Sequence, residues 1–305
     1  MEEHAIIAFD GLSLAGKSTM VEMLFQRSTN ARVIRENTYD PIRPATSKLN
    51  KLFKSGKYSF EDCLEIIAED EEFANYAYVA VDAGKYVENF HFDGSGAKKQ
   101  AALAYFFTAG RKVVNDELIK QFKNNDVILD RWFATGCAYQ TFPPDENDDS
   151  YSWERIRELN EDMGIWYPHM QFLITLPEKD LDQIAIRKAY RQKQGVGTAG
   201  QMSSGREKII YNEFRKIERW FSENGVPVVN VENRGTPSMD LQEQIEQAIP
   251  AYLKVESELR QEIEKGMAPR KYGLAKEILT PDQAKEFFLE PEMMNNIHER
   301  QTSKN

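Results

Sequence analysis

A glycine-rich stretch near the start of the chain constrains its fold more than any other feature. Residues 11–18 have the pattern G-x-x-x-x-G-K-S, which ends at Lys17 and Ser18. An apolar run at residues 5–9 precedes the pattern, and a helix-like segment that starts at Thr19 follows it. This order of strand, loop and helix is the context in which the pattern forms a phosphate-binding loop. The sequence therefore predicts that residues 11–18 bind the phosphates of a nucleotide.

The residue types of this loop have separate physical roles. The glycines let the backbone turn so that successive N–H groups point at phosphate oxygens, and the helix N-terminus adds partial positive charge. Lys17 is predicted to reach the β- and γ-phosphates of ATP, and the Ser18 hydroxyl to bind Mg²⁺. The residues predicted to surround the ATP phosphates are Gly11, Ser13, Leu14, Ala15, Gly16, Lys17, Ser18 and Thr19.

The composition is ordinary for a globular protein. The chain has 305 residues, of which 41% are hydrophobic and 29% are charged, and this length is sufficient for a substantial core. The net charge of -10 argues against a broad surface for nucleic acid, although a local basic groove stays compatible with it. No window approaches the roughly 18 apolar residues of a membrane helix, and Cys63 and Cys137 lack metal-ligand spacing. We therefore expect a cytoplasmic protein with reduced thiols and no membrane partner.

Strand-like and helix-like segments alternate along the chain, which favours an α/β fold. The predicted strands are residues 4–10, 32–35, 126–130, 170–176 and 226–231. The predicted helices are residues 17–28, 46–55, 59–82, 97–124 and 178–193, a helix from 206 onward, and residues 238–265 and 281–290. Together these segments predict a three-layer α/β/α architecture around a five-stranded parallel sheet.

Asp130 and Arg131 stand at the carboxyl end of a predicted buried strand. Ligands of open α/β sheets gather at this end of the strands. Phosphoryl transfer needs positive charge around the phosphate and an acid that holds the metal. Asp130 is predicted to hold Mg²⁺ directly or through water, and Arg131 to clamp an acceptor phosphate. The alternative interpretation is a helix-start acid beside a surface arginine, and the phosphate-binding loop favours the functional one.

Three short groups of residues narrow the prediction further. They are Phe9-Asp10-Gly11 before the loop, Asp130-Arg131-Trp132 followed by Ala138-Tyr139-Gln140, and Phe107-Thr108-Ala109-Gly110-Arg111 on the long predicted helix. Together they resemble the thymidylate kinase family, a group of P-loop nucleoside-monophosphate kinases, over roughly residues 4–255. The resemblance implies a P-loop kinase fold with a helical lid, transfer of the γ-phosphate of ATP to dTMP, and ATP and Mg²⁺ as cofactors. It also implies a homodimer, because the family usually dimerises through its helices.

The resemblance also implies an acceptor site. In that family an aromatic residue on the long helix stacks on the pyrimidine, and an arginine one turn later contacts the edge of the base. Phe107 and Arg111 match these positions, although core packing is an alternative role for Phe107. Arg131 matches the arginine that holds the acceptor phosphate, and Tyr139 matches an aromatic near the deoxyribose. The implied acceptor-binding residues are Asp10, Arg35, Glu36, Arg43, Phe107, Arg111, Arg131 and Tyr139.

Residues 187–206 resemble the lid of the family. Lid arginines close over ATP and stabilise charge in the transition state, whereas a solvated basic helix is the alternative interpretation. Some members have a catalytic arginine inside the phosphate-binding loop, but Leu14 occupies that position here, so an arginine of the lid is expected to replace it. The predicted catalytic residues are Lys17, Arg131, Arg187, Arg191 and Arg206.

The chain also departs from the family. Ser13 replaces an acid that meets the acceptor sugar, and an Arg-Glu-Pro stretch of the family is Arg35-Glu36-Asn37 here, which leaves open whether Arg35 or Arg43 contacts the acceptor phosphate. Residues 56–97 are predicted to be an insertion within a kinase domain at residues 1–255. Residues 256–305 are predicted to form a C-terminal helical extension. These departures favour a divergent member with an altered acceptor.

The predicted function is therefore a nucleoside-monophosphate kinase that acts on a pyrimidine deoxynucleotide, either dTMP or a 5-modified dUMP. One alternative is a deoxynucleoside kinase, which needs a carboxylate base after the second strand, where Glu36 stands. A kinase that phosphorylates a modified base within DNA is a related alternative, and the net negative charge of the chain argues against it. A second alternative is a regulatory protein that binds a nucleotide without catalysis.

Overall fold

The computed structural model describes residues 5–35, 125–141, 152–193, 206–235, 240–266 and 272–302, together with some positions between 55 and 119. The predicted insertion at residues 56–97 falls almost entirely outside these ranges, as do residues 194–205 of the predicted lid. Glu36 and Arg43 also lie outside the described residues. The chain divides into two compact units. The first unit comprises Met1–Arg35, Phe122–Ala134 and Tyr167–Asn305, and the second comprises Glu36–Gln121 and Thr135–Trp166.

The first unit contains a parallel sheet of five strands. They are β1 (Ile6–Gly11), β2 (Ala31–Arg35), β3 (Asp126–Asp130), β4 (Met170–Thr175) and β5 (Val228–Glu232). Their order in the sheet is β2-β3-β1-β4-β5, and each pair of neighbours is parallel. Every residue of β1, β3 and β4 is buried, as expected for central strands of a parallel sheet with both faces covered. The predicted five-stranded parallel sheet is therefore confirmed.

Eight α-helices lie within the described ranges. They are α1 (Lys17–Gln26), α2 (Phe133–Gln140), α3 (Trp153–Asp162), α4 (Gln183–Lys193), α5 (Glu207–Glu223), α6 (Leu241–Lys265), α7 (Pro281–Phe288) and α8 (Pro291–Thr302). A 3₁₀ turn at Glu178–Asp180 precedes α4, and Val114–Ile119, inside the predicted long helix, is π-helical. None of the helices in these ranges combines the length and the apolar character that a membrane crossing requires.

The helices flank the sheet through apolar faces. The helix α1 contacts β1, β2 and β3, the helix α6 contacts β5, and these two helices contact each other. The helix α5 contacts β4 and β5, and it has an apolar stripe that is fully buried and consists of Ile210, Phe214, Ile217 and Phe221. Burial of this stripe shows that α5 faces the core along it. The sheet and its flanking helices match the predicted P-loop α/β fold.

Residues 272–302 pack against other segments of the first unit. The backbone N–H of Thr29 donates to the carbonyl of Gly273, and that of Ala275 donates to the carbonyl of Arg27. The helix α7 begins with a capping box of Thr280 and Gln283. The helix α8 was not predicted. It begins at Pro291, where a proline is tolerated because the first turn of a helix needs no N–H donor.

A buried ionic network connects this C-terminal region to the core. The Glu256 carboxylate on α6 lies 3.5 Å from the guanidinium of Arg27 and 2.6 Å from that of Arg260. The Tyr252 hydroxyl donates to the same carboxylate at 2.9 Å, and Arg260 donates to the carbonyl of Ala275 at 2.7 Å. Burial, followed by the charge of Glu256, raises the pKa of Tyr252 well above its usual value. The network therefore holds α1, α6 and the chain before α7 together.

Candidate active site

The predicted phosphate-binding loop, residues 11–18, lies between the end of β1 and the start of α1. Gly11 and Gly16 have φ angles of 130° and 90°, which residues with a side chain rarely adopt. A Cβ atom added at Gly11 would lie 2.0 Å from the carbonyl oxygen of Ile174. One added at Gly16 would lie 2.4 Å from Nδ2 of Asn233. Conformation and close packing therefore both require glycine at these positions. Leu14 also has a positive φ of 63°, which costs roughly 1–2 kcal/mol for a residue with a side chain.

Lys17 is buried at the start of α1 beside this loop. Its Nζ donates to the carbonyl oxygens of Gly11 at 3.1 Å and Leu12 at 2.6 Å. The N-cap residue of α1 is Gly16, which has no side chain to cap the helix. The N–H groups at such a terminus attract anions, and the lysine adds a full positive charge next to them. The loop therefore has the backbone donors and the cation that a polyphosphate needs.

Ser18 and Asp130 meet at the edge of the sheet. The Ser18 hydroxyl donates to Oδ2 of Asp130 at 2.7 Å. The second carboxylate oxygen of Asp130, Oδ1, is buried without a hydrogen-bond partner among the described residues. A hydroxyl and a carboxylate oxygen are both ligands that Mg²⁺ accepts, and a buried acceptor of this kind needs a partner. The two side chains predicted to bind metal are therefore adjacent and chemically suited to a magnesium ion.

Arg35 also lies near Oδ2 of Asp130. Its Nε is 3.9 Å from Oδ2 of Asp130, and its Nη2 forms an ion pair with Glu22, which is buried in α1. The sequence did not single out Glu22. The pairing places Arg35 between two carboxylates, whereas the family resemblance implied contact with the acceptor phosphate.

Asp10 and Arg131 connect the loop to the end of β3. Oδ1 of Asp10 accepts a hydrogen bond of 2.7 Å from the backbone N–H of Trp132, which is buried. Arg131 is half-buried and has a φ angle of 71°, and its Nη2 lies 3.5 Å from Oγ of Ser13. A left-handed arginine persists only where its surroundings hold it, and such strain is common at functional sites. The structure thus brings Asp130 and Arg131 against the phosphate-binding loop.

The described part of the lid contributes Arg187 to the same region. Its Nη1 donates to the carbonyl of Leu14 at 2.7 Å, and its Nη2 donates to the carbonyl of Gly235. Burial lowers the pKa of Arg187 and that of Arg206, which immediately precedes α5, below their usual values. The side chain of Arg191 is outside the described residues. Of the three arginines predicted for the lid, Arg187 therefore contacts the loop at residues 11–18.

Asn233 is a further contact of the loop that the sequence did not predict. It is buried directly after β5, and its Nδ2 donates to the carbonyl of Ala15 at 2.9 Å. Its Oδ1 accepts from the backbone N–H of Gly235 at 3.2 Å. The only available signal was its position just after the last predicted strand, at the carboxyl edge where ligands gather.

The second unit contains the residues that the resemblance assigned to the base and sugar. Phe107 and Tyr139 are half-buried. Arg111 is buried, and it donates from Nε to Oδ1 of Asn160 at 3.0 Å and from Nη2 to Oγ1 of Thr108 at 3.1 Å. Asn160, on α3, is another residue that no sequence pattern indicated.

Comparison with known proteins gives a likeness of fold. No protein-family model matches the chain, and no curated protein matches its sequence. The structure is similar to a thymidylate kinase from Ehrlichia chaffeensis, with 16% identity and a TM-score of 0.45, over 84% of this chain and 98% of the other. It is similar to a thymidylate kinase from Candida albicans at the same identity and TM-score, over 86% of this chain and 92% of the other. A likeness at 16% identity concerns the fold and not the activity.

Proposed function

We propose that the protein is a magnesium-dependent kinase that transfers the γ-phosphate of ATP to a pyrimidine deoxynucleoside monophosphate, either dTMP or a 5-modified dUMP. The hydrogen bond between Ser18 and Asp130 is the main support for this proposal. It joins the metal-binding position of the phosphate-binding loop to an acid that immediately precedes Arg131. Arg131 is held at a φ angle of 71° beside that acid, and backbone strain of this kind is common at functional sites.

The donor side of the reaction rests on the loop. The backbone amides of residues 11–18 and the amine of Lys17 bind the β- and γ-phosphates. Ser18 and Asp130 hold Mg²⁺, which neutralises charge on the phosphates when it is bound. Arg187 lies 2.7 Å from the Leu14 carbonyl, and from this position its guanidinium stabilises the negative charge that develops on the transferred phosphoryl group.

The acceptor side requires positive charge more than a base. A phosphate oxygen of the acceptor is already ionised, so it attacks the γ-phosphorus without proton removal by a carboxylate. Arg131 supplies a planar guanidinium that suits bidentate contact with that phosphate. The ion pair of Arg35 with Glu22 makes Arg131 the stronger candidate for this role. Phe107 and Arg111 retain their proposed contacts with the base, and Tyr139 its proposed contact with the sugar.

An ADP-release assay over a panel of acceptors tests the proposal. The panel contains dTMP, 5-substituted dUMP, dCMP, dAMP, thymidine and single-stranded DNA, each with Mg²⁺ and ATP. We expect turnover with dTMP or 5-substituted dUMP, and none in the Lys17→Ala variant. Turnover with thymidine alone would instead identify a deoxynucleoside kinase, and ATP binding without turnover on any acceptor would identify a regulatory protein.

A pair of arginine variants tests the acceptor site separately. Arg131→Ala is expected to lower kcat/KM for the monophosphate by about 100-fold while the KM for ATP changes little. Arg219→Ala is the matched control, because Arg219 is an exposed arginine on α5. Equal effects of the two substitutions would remove Arg131 from the acceptor site.

A further inference from the structure

We propose that Asn160 and Gly136 position Arg111 and so set the discrimination between pyrimidine bases that carry a carbonyl group and those that carry an amino group. This inference rests on the proposed function, because Arg111 is the residue assigned there to the edge of the base. It adds two residues that neither the sequence patterns nor the family resemblance identified. We call Thr108, Gly136 and Asn160 together the Arg111 cradle.

Two hydrogen bonds fix the plane of the Arg111 guanidinium. The side chain is 1% exposed, and its Nε donates to Oδ1 of Asn160 while its Nη2 donates to Oγ1 of Thr108. These two donors lie at different positions around the planar group, so the bonds restrict its rotation. A long side chain with many rotamers is therefore held close to one orientation.

Asn160 is itself held so that its oxygen faces Arg111. The residue is 0% exposed, and its Nδ2 donates to the carbonyl of Ile156 in the same helix at 2.6 Å. Reversal of the amide would turn its NH₂ group towards the guanidinium, and two donors would then face each other. Asparagine is also a poor residue for the interior of a helix such as α3. The contact with Arg111 gives a physical reason for an asparagine at this helical position.

Gly136 provides the space in which the guanidinium lies. A Cβ atom at this position would lie 2.4 Å from Nη2 of Arg111 and 2.7 Å from both Cζ and Nη1. These distances are far below van der Waals contact, and all three atoms belong to the same planar group. Gly136 is in α2 and is not among the glycines with a positive φ angle. Glycine destabilises the interior of a helix, and the space that it leaves here is occupied by the guanidinium of Arg111.

The orientation of Arg111 matters because a guanidinium has donors and no acceptors. It pairs well with O4 of thymine or uracil and poorly with the N4 amino group of cytosine, which is also a donor. Discrimination of this kind is large when the recognising group cannot rotate away from the wrong base, since its donors are then left unpaired. A fixed Arg111 therefore favours dTMP over dCMP, and a loosened one favours it less.

Substitutions in the cradle test the inference through the specificity ratio. Asn160→Leu removes the acceptor for Nε, Gly136→Ala blocks the space of the guanidinium, and Asn160→Asp keeps an acceptor oxygen. We expect the first two to raise the KM for dTMP by about 10-fold, to change kcat little, and to lower the ratio of kcat/KM between dTMP and dCMP. Asn160→Asp should retain most of that ratio. Calorimetric titration with dTMP should give the same order of affinities.

The matched control is a second buried asparagine of the same unit. Asn115 bonds to the backbone of Gly164 and Trp166 through its side chain. Asn115→Ala should lower the melting temperature and leave the dTMP/dCMP ratio unchanged. A ratio in folded Asn160→Leu and Gly136→Ala enzymes equal to that of the wild type would overturn the inference while leaving the kinase activity intact. A wild-type enzyme that neither binds nor phosphorylates any pyrimidine monophosphate would overturn the proposed function and the inference together.

Discussion

The hydroxyl of Ser18 donates a hydrogen bond of 2.7 Å to Oδ2 of Asp130. The two residues belong to different elements, Ser18 to the first turn of α1 and Asp130 to the last position of β3. Their meeting follows from the sheet order, because β1 and β3 are parallel neighbours and Phe9 is opposite Asp130 in their register. The carboxyl ends of both strands therefore lie at the same edge, where the phosphate-binding loop begins.

Loss of the Asp130 carboxylate should change the magnesium dependence of the enzyme. In Asp130→Asn one anionic ligand is removed, so the Mg²⁺ concentration for half-maximal rate should rise and kcat should fall by about 100-fold or more. A titration of ADP release against Mg²⁺ measures both quantities. Asp126→Asn is the control on the same strand, since the Asp126 carboxylate accepts from the backbone of Ala5 and Gly273 at the opposite end. A control that shifts the Mg²⁺ dependence as strongly would contradict the proposed metal site.

Replacement of Arg187 should slow the chemical step. Arg187→Ala should lower kcat by about 10³-fold, as expected for an arginine that stabilises a phosphoryl transition state. Arg187→Lys should recover only a small part of this loss, because an ammonium cannot span the carbonyls of Leu14 and Gly235 as a guanidinium does. Single-turnover kinetics separates this effect from ATP binding. The comparison is Arg215→Ala, an exposed arginine paired with Glu218 on α5, and a similar rate for the two alanine variants would exclude the role of Arg187.

The buried tyrosines should make the protein lose stability in alkaline solution. The pKa values of Tyr252 and Tyr272 are raised in the folded state, mainly by burial. A tyrosine of the unfolded chain loses its proton near pH 10, whereas the folded chain keeps it, so above roughly pH 10 the unfolded state binds fewer protons. The free energy of unfolding is therefore highest below this pH and falls as the pH rises through it.

Substitution of Tyr252 isolates its share of this effect. Tyr252→Phe should lower the free energy of unfolding by about 1–2 kcal/mol near neutral pH, because Glu256 loses a hydrogen-bond donor. It should also reduce the decline above about pH 10. Urea unfolding of both proteins at neutral and alkaline pH gives these values. If the free energy of unfolding fell equally steeply with pH in both proteins, the pKa of Tyr252 would not be raised on folding.

The features that the sequence predicted correctly are those with a local pattern. The five strands and the turn from β1 into α1 each depend on residues that are close together in the chain. The helix α8 was not predicted, because Pro291 was interpreted as the end of α7 and not as the first residue of another helix. Proline is common both just after the end of a helix and at the first position of one. The packing of α8 on α1 decides between these two roles for Pro291.

Single polar residues with distant partners could not be predicted. Asn233 contacts Ala15 across 218 positions, and Arg111 contacts Asn160 across 49. Neither asparagine belongs to a repeated pattern, so only the assembled fold shows which group it meets. The same limit applies to Arg35, whose position in the sequence gave no indication of its ion pair with Glu22.

Phosphorus-31 NMR of the reaction mixture tests the central claim most directly, because it identifies the phosphorylated product itself. With wild-type protein, ATP, Mg²⁺ and dTMP, we expect the resonances of dTDP and ADP to appear in equal amounts. Neither should appear in the Lys17→Ala variant or when Mg²⁺ is removed by a chelator. Conversion of thymidine to dTMP, with no consumption of dTMP when it is supplied as acceptor, would contradict the proposed nucleoside-monophosphate kinase.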